Sequence, residues 1–520
     1  MKRRTTFVQR EDAQFEDDQV VLSSKSLTVK GLDALREERI TFDIGDLPKS
    51  LQYVFDESLS LRLRWATERP YRTIPPFTSR VSPGLHVYHT PRQEAQETET
   101  LCSKLHLVFG GEQADVHCSS VQESFITPPP EATDSASTAQ QYYTQLPSLE
   151  SFVTVIQRII CSRLKDRDAE CQRHASSLLS ADSFDLDYDS TTQSITFSAL
   201  WASSPHGGWD EEVHGPSSKS DKVEFGLLSA EPAPDPEDIK IGGLLAVVGT
   251  DKKLKPTMFH FPSRHHYLHE SASYTVSFSK PTGLHPTLSI TLPQSALARP
   301  PAPERQECGL NTYLTLPSAV FGDQYQLATT DSLFLTSHNL ARLRAYAGET
   351  DLEAPDWAVQ RWGSTWLFEL ATPESLDQGS NWTATIPLHL RYLDPSESGY
   401  RAVNVPWPVV FWACSSDDET PLGVNPFDRT SLGWDSLFGP RTLFYQLSPN
   451  GERLVEEIDV PVLQKKPGEG FFQTRNIEIV TSAVILLGFL WVLWRLVAVA
   501  WFSGIRTTKP AKASDQKKKE

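Results

Sequence analysis

The chain has 520 residues, of which 39% are hydrophobic and 22% charged, and this balance excludes wholesale disorder, collagen and a multi-spanning membrane protein. Its formal net charge is −17, so we expect no nucleic-acid partner, because the phosphates would be repelled. The 13 Trp, 25 Phe and 37 Pro favour strands joined by proline-rich loops.

Proline-rich and polar stretches divide the chain into regions. The stretches TPPPEATDSASTAQQ at 127–141 and LPQSALARPPAPERQE at 292–307 are typical of boundaries. The predicted organisation is an N-terminal β-rich region over 1–130, a middle α+β region over 131–300, a β domain over 301–475, a membrane helix over 479–502 and a basic tail over 503–520.

Short runs that alternate apolar and polar residues recur along the chain, as in Leu59–Trp65 and Thr287–Leu292. A period of two predicts strands with one buried face. We therefore expect a mainly β fold of antiparallel, sandwich-like domains. One helix is predicted over 148–165, where apolar residues recur every three or four positions, and we expect it to pack on a sheet.

Residues 479–502 are apolar apart from Arg495, and 24 residues suffice to cross a bilayer once. The flank after this segment is rich in lysine, which predicts a cytosolic tail and places residues 1–476 outside the cytosol. The first residues, MKRRTTFVQREDAQFEDD, lack an apolar h-region, so no ordinary cleavable signal peptide is predicted. Either the single span acts as a late signal, or the large part stays cytosolic.

Three further features have two interpretations each. Lys517 and Lys518 resemble a dilysine signal for retrieval to the endoplasmic reticulum, or they bind anionic lipid. Arg495 extends to the interface or pairs with a polar group on a partner's helix. The sequon that begins at Asn381 is a candidate glycosylation site in a lumenal chain, although sequons also arise by chance.

Two clusters could carry enzyme chemistry. His260, His265, His266, His269 and Glu270 lie within MFHFPSRHHYLHE, but the spacing is not that of a zinc protease helix, so a loop and a strand are favoured over a metal site. Asp185, Asp187 and Asp189 alternate in FDLDYDS and resemble the DxD element of nucleotide-sugar transferases. An exposed strand face is the simpler interpretation of that pattern.

Five segments in order resemble the PIG-X family. They are GLHPTLSITL at 283–292, CGLNTYLTLPSAVFGDQYQL at 308–327, DLEAPDWA at 351–358, IPLHLRYLDPS at 386–396 and VPWPVVFWAC at 405–414. The resemblance extends through the single C-terminal span and the short basic tail.

This resemblance implies a single-pass glycoprotein of the endoplasmic-reticulum membrane that acts in glycosylphosphatidylinositol-anchor biosynthesis. The implied role is that of a non-catalytic subunit that stabilises a multi-spanning, PIG-M-type mannosyltransferase, which adds the first mannose. The family offers no catalytic residues to carry over, and no cofactor is expected. A general lumenal chaperone for membrane or secretory proteins is the alternative.

The resemblance also singles out individual residues. Cys308 and Cys414 match the family's flanking cysteines, which implies a disulfide between them. His389 and Arg391 alternate with leucines and so are predicted to share one face. That face is either solvated or a contact surface for the catalytic subunit, to which Arg495 is the candidate contact within the membrane.

Overall fold

The computed structural model describes residues 1–504 apart from a set of short segments. Those segments are 10–15, 17, 75–76, 78, 93–98, 112–115, 130–138, 164–167, 205–206, 217, 281, 374–379, 417–419, 424, 428 and 466–473. The chain divides into two compact units. The first holds Met1–Leu393 and Ala402–Pro461, and the second holds Asp394–Arg401 and Val462–Glu520.

The strands found within the described residues are short. They are β1 (Lys2–Gln9), β2 (Val20–Leu22), β3 (Ser26–Leu32), β4 (Ala34–Asp43), β5 (Ser58–Ala66), β6 (Gly84–Pro91), β7 (Gln140–Thr144), β8 (Ser183–Asp189), β9 (Ser194–Trp201), β10 (Trp209–His214), β11 (Lys222–Glu231), β12 (Asp238–Val247), β13 (Lys255–Pro262), β14 (His265–Tyr267), β15 (Ser273–Phe278), β16 (Thr287–Pro293), β17 (Glu307–Pro317), β18 (Val320–Phe321), β19 (Leu340–Gly348), β20 (Gly363–Leu370), β21 (Asn381–Pro387), β22 (His389–Leu390), β23 (Tyr400–Pro406), β24 (Val409–Ser415), β25 (Leu443–Gln446), β26 (Ser448–Pro449) and β27 (Val455–Pro461).

The α-helices in the same described ranges are fewer. They are α1 (Lys49–Asp56), α2 (Glu99–Phe109), α3 (Val121–Ser124), α4 (Glu150–Val155), α5 (Asp168–Ser177), α6 (Gln324–Leu327), α7 (Ser332–His338) and α8 (Thr474–Gly504).

The strands form several sheets, which confirms the predicted mainly β fold. Among the described residues the large sheet has ten strands, in the order β13-β12-β11-β1-β4-β9-β8-β5-β6-β7. A second sheet has the order β14-β25-β24-β17-β20-β19, a third β21-β16-β15-β26 and a fourth β10-β3-β2. The predicted region boundaries near 130 and 300 remain predictions.

Alternation along β8 gives this part of the large sheet one apolar and one polar face. In β8, Phe184, Leu186 and Tyr188 are buried in the main core, whereas Asp185 and Asp187 point to the opposite face. Each large apolar side chain buried in this way contributes roughly 1.5–3 kcal/mol to stability. The polar face is therefore a direct product of the sequence period.

The helix predicted over 148–165 is confirmed as far as Arg163. It begins as α4 and continues as a π-helical turn over Ile156–Ile160 and a 3-10 turn over Cys161–Arg163. Phe152 packs its ring 4.8 Å from the ring of Phe184 in the large sheet. The helix thus covers the apolar face of the sheet, as its apolar stripe predicts.

The alternating pattern predicts antiparallel strand pairs, but some of the observed pairs are parallel. β1 pairs in parallel with β11, and β14 pairs in parallel with β25. A parallel pair needs a long crossover, and about 220 residues separate Lys2 from its partner Lys222.

The second unit contains α8. Its apolar part, Arg475–Trp501, is long enough to cross a membrane and is the one such helix in the part of the chain that the structure describes. The observed helix is longer than the predicted 479–502. An apolar helix whose residues are not buried by the part of the chain that the structure describes fits a single-pass membrane protein.

Candidate functional site

Four of the five family-like segments meet at one place in the first unit. We call it the Arg391 corner, and it comprises residues 283–286, 318–327, 351–358 and 388–392. Backbone hydrogen bonds join these segments: the amide of Leu390 donates to the carbonyl of Leu284 at 3.1 Å, and the amide of Arg391 donates to the carbonyl of Ala319 at 2.9 Å. Residues that are far apart in sequence thus build a single surface feature.

The side chain of Arg391 lies at the centre of this corner and is only 2% exposed. Its Nε donates to the carbonyl of Ser318 at 3.0 Å, and its Nη1 donates to the carbonyl of Ala354 at 2.8 Å and to that of Asp351. The guanidinium carbon also lies 4.2 Å from the ring centroid of Phe321. A planar guanidinium group can make several such contacts at once. The buried side chain of Arg391 therefore links its own segment to the segments 318–327 and 351–358.

The structure corrects the prediction that His389 and Arg391 share an outward face. The strand β22 consists only of His389 and Leu390, so the period of two no longer applies at position 391. His389 is partly exposed, whereas Arg391 turns inward. A direct role for either residue in binding a partner stays a prediction.

Large apolar side chains project from the segments of the Arg391 corner. Their exposed fractions are 76% for Tyr325, 69% for Tyr392, 60% for Trp357, 42% for Leu352 and 40% for Leu284. The amide of Asp356 donates to the carbonyl of Tyr392 at 3.0 Å, which keeps the backbones of the last two segments adjacent. Exposed Trp and Tyr on a rigid support are typical of protein-binding surfaces.

A histidine pair adds a polar element to the corner. The Nδ1 atoms of His285 and His389 lie 3.0 Å apart, so one ring must donate while the other accepts. Partial burial and the neighbouring His285 lower the pKa of His389, while Asp323 opposes that effect. The pair is therefore held together when at least one ring is neutral.

Arg495 lies on α8 in the second unit, among apolar residues that are exposed in the isolated chain. Its place in the helix agrees with the segment predicted from sequence. Its contact with a partner helix stays a prediction.

All six cysteines of the chain form disulfides in the structure. Cys308 is paired with Cys414, where β17 and β24 lie side by side, and the two Cα atoms are 4.0 Å apart. Cys102 pairs with Cys118 and Cys161 with Cys171, two connections that the sequence left open.

Comparisons with known proteins address the family directly. The family model described as PIG-X / PBN1 matches residues 281–497. Protein pbn1 of Aspergillus oryzae is 52% identical, with all of both chains covered, and protein pbn1 of Emericella nidulans is 53% identical over 97% of each. Protein pbn1 of Neurospora crassa is 37% identical over 99% of this chain and 98% of its own length. The chain belongs to the PIG-X/PBN1 family.

Membership of the PIG-X/PBN1 family supports a role as an accessory subunit in glycosylphosphatidylinositol-anchor biosynthesis. The matched residues contain the whole Arg391 corner, the Cys308–Cys414 disulfide and most of α8. The features that the geometry singles out thus lie in the part that this chain shares with the family model.

The glycosylation and retrieval predictions fall in different parts of the chain. Asn381 is the exposed first residue of β21, and Trp382 beside it is buried. Its glycosylation stays a prediction. Lys517 and Lys518 lie outside the described residues.

The histidines of MFHFPSRHHYLHE do not converge. His260 is exposed with Nε2 2.7 Å from a carboxylate oxygen of Asp238, and His265 and His266 are buried. Burial lowers the pKa of His266 to about 4. Across the described part of the chain, no group of three His, Cys, Asp or Glu side chains could hold a metal ion.

Two of the three aspartates of FDLDYDS are bound by arginines, and the third, Asp189, accepts from the amide and hydroxyl of Thr191. Asp185 accepts from Nη2 of Arg429 at 2.6 Å, and Asp187 accepts from Nη1 of Arg64 at 3.0 Å. A divalent metal would need these carboxylate oxygens as ligands, and guanidinium groups already occupy the space beside them. The DxD resemblance is therefore better explained as part of an ion-pair network.

Sequence reasoning missed the corner as a unit and the cavity beside Asp185. The residues that line the cavity lie far apart in sequence, and Arg39 and Pro426, for example, are 387 positions apart. A local signal did exist for the arginines, since Arg62 and Arg64 alternate with leucines in β5 and so share the polar face.

Proposed function

We propose that this chain is the non-catalytic stabilising subunit of the endoplasmic-reticulum mannosyltransferase that adds the first mannose during glycosylphosphatidylinositol-anchor biosynthesis. Its partner is a multi-spanning, PIG-M-type catalytic subunit. The first unit is lumenal, and α8 crosses the membrane with its tail in the cytosol. The single observation that carries the proposal is that the family-matched residues hold both an exposed aromatic surface on a rigid support and an apolar helix.

The mechanism of this proposal is binding. A subunit that binds only the folded form of its partner shifts that partner toward the folded state by mass action. Trp357 and Tyr392 suit this task because aromatic side chains bury a large area at low cost in conformational entropy. Arg391 fixes the segments that carry both residues, so little ordering remains to be done on binding.

The membrane helix supplies the second contact. Lipid tails are as apolar as the helix, so hydrophobicity alone does not drive helices together. A charged residue within the span gains most by pairing with a polar or acidic group on a neighbouring helix. We therefore assign Arg495 to the catalytic subunit's helices.

The experiment measures recovery and half-life of the catalytic subunit in cells that express variants of this chain. The double variant Trp357→Ala with Tyr392→Ala should lower recovery about tenfold or more. The matched control is Tyr53→Ala, because Tyr53 is 60% exposed on α1, outside the corner. Equal recovery with the double variant and the control would remove the corner from the interface.

A second pair of variants tests the membrane contact. Arg495→Leu should shorten the half-life of the catalytic subunit, and Arg495→Lys should retain most of the wild-type value. Unchanged recovery with Arg495→Leu would mean that Arg495 only extends to the interface.

A further inference from the structure

A cavity of about 340 Å³ lies in the first unit, against the polar face of the large sheet. Its floor consists of residues of β4, β5, β8 and β9, and its walls include Tyr71, Phe77, Phe427 and Arg429. Small-molecule sites usually measure roughly 300–1,000 Å³, so this cavity is at the lower end of that range. None of the residues that line it belongs to the Arg391 corner or to α8.

Strand register builds the floor. Arg39 lies opposite Ser198, Ser198 lies opposite Asp185, and Asp185 lies opposite Arg64. One row of polar side chains thus crosses four neighbouring strands on the same face. Such a row places donors and acceptors side by side, at the spacing of neighbouring strands.

The charged groups that line the cavity are balanced. Three are acidic, namely Glu37, Asp185 and Asp187, and three are basic, namely Arg39, Arg64 and Arg429. Arg64 and Arg429 already bind the two aspartates. An anionic ligand would have to displace these carboxylates, and a metal ion would face the guanidinium groups. The arrangement therefore favours a neutral, polar ligand.

Arg39 donates from Nη1 to the carbonyl of Pro426 and not to a carboxylate, and Glu37 also lies outside the two ion pairs. Glu37 is only 6% exposed, and its Oε2 has no hydrogen-bond partner among the described residues. The nearest cation is Arg4, whose Nη2 lies 3.8 Å from that oxygen, beyond hydrogen-bond distance. Burial raises the pKa of Glu37. A buried carboxyl group of this kind at a cavity wall is ready to exchange a hydrogen bond with a ligand hydroxyl.

Aromatic rings and small hydroxyls complete the lining. Phe427, Phe77 and Tyr71 line the wall, and the ring centroids of Phe427 and Phe77 lie 6.1 Å apart. Thr196 and Ser198 add hydroxyl groups on the floor. Aromatic faces attract the weakly positive C–H groups of a ligand, while the floor offers both donors and acceptors.

We propose that this cavity binds a neutral mono- or disaccharide unit. A saccharide presents hydroxyl groups on its edges and C–H groups on its faces, which matches the polar floor and the aromatic wall. The proposal is independent of the proposed subunit role, because none of these residues belongs to the corner or to α8. Its ligand is either a free sugar or the terminal saccharide of a glycan.

The test uses the full chain purified in detergent. In the first arm, isothermal titration calorimetry measures binding of free mannose, glucose and N-acetylglucosamine, with inorganic phosphate in parallel. In the second arm, the labelled chain is applied to an array of immobilised glycans and competed with the free sugars. Binding in the first arm alone indicates a free saccharide, and array binding that a free sugar competes indicates a glycan end.

Variants connect the binding to the cavity. Ser198→Phe fills the floor and should weaken saccharide binding at least tenfold. Ser194→Phe is the matched control on the same strand, outside the lining, and should bind as the wild type does. Glu37→Gln keeps the shape of the cavity and should weaken binding severalfold, so the proposal stays testable if Ser198→Phe does not fold.

Three results would overturn the proposal. They are no saccharide binding by the wild type in either arm, tighter binding of phosphate than of any saccharide, and saccharide binding that neither Ser198→Phe nor Glu37→Gln reduces.

Discussion

The guanidinium of Arg391 donates a hydrogen bond to the carbonyl of Ala354 at 2.8 Å, although 37 positions separate the two residues. This bond fixes the loop that carries Trp357 to the segment that carries Tyr392. A buried arginine thus determines where two exposed aromatic side chains are presented. The exposed surface depends on a residue that no partner needs to touch.

Replacing Arg391 by Met should lower the free energy of unfolding of the first unit by about 2–4 kcal/mol, because three part-buried carbonyl groups lose their donor. Chemical denaturation of the purified chain measures this change. The matched control is Arg342→Met, because the side chain of Arg342 is 62% exposed and its ion pair with Glu369 contributes little. If both variants are equally stable, Arg391 does not organise the corner.

Replacing Cys308 by Ser should lower the free energy of unfolding by roughly 4–5 kcal/mol, since the disulfide to Cys414 closes a loop with a sequence separation of 106 residues. Replacing Cys161 by Ser should cost less, roughly 3 kcal/mol, because its loop has a separation of only 10. Denaturation in oxidising and reducing buffer checks both values. Once the chain is reduced, the free energies of unfolding of Cys308→Ser and of the wild type should approach each other.

Stability should fall as the pH drops from 6.5 toward 4. Burial lowers the pKa of His86, His89 and His266 to about 4 each, below the ordinary value of about 6.5. In this window the unfolded chain binds more protons than the native chain, so the contribution is complete above pH 6.5 and is lost on acidification. Each histidine contributes a slope of up to about 1.4 kcal/mol per pH unit.

Urea denaturation at several pH values measures this slope. His266→Gln should reduce the slope by up to about 1.4 kcal/mol per pH unit, the contribution of one proton. The exposed His214→Gln serves as the control. A stability that stays constant between pH 7 and pH 5 would contradict the burial of neutral histidines.

Replacing Asp185 by Asn should destabilise the chain by about 3–5 kcal/mol, because Arg429 is then left as an unpaired buried charge. Thermal unfolding measures the effect, and the exposed Asp33→Asn is the control. Manganese should leave the midpoint of the wild type unchanged. Stabilisation of the wild type by manganese, lost in Asp185→Asn without a loss of intrinsic stability, would instead favour the DxD interpretation.

Local patterns predicted much of the fold. The alternation in Leu59–Trp65 and in Asp185–Asp189 marks β5 and β8 and assigns each residue to a face, since a strand has a period of two. The apolar stripe over 148–165 marks α4 and its continuation, and the apolar run near the C-terminal end marks α8. These features depend only on near neighbours in sequence.

The rest depends on contacts between distant residues. Nothing near β1 indicates that its partner is β11, and nothing near Arg391 indicates that its acceptors lie at 318, 351 and 354. The inward turn of Arg391 follows from the end of β22 after Leu390, a boundary that alternation in the sequence does not mark. The cavity likewise needs the pairing of β4, β9, β8 and β5 before its polar row exists.

The most direct test of the account is purification of the tagged chain in mild detergent, with quantitative mass spectrometry of the proteins that accompany it. The account predicts one multi-spanning mannosyltransferase at near-equal amount. A spread of unrelated lumenal proteins at low occupancy, without that enzyme, would contradict it and favour a general chaperone.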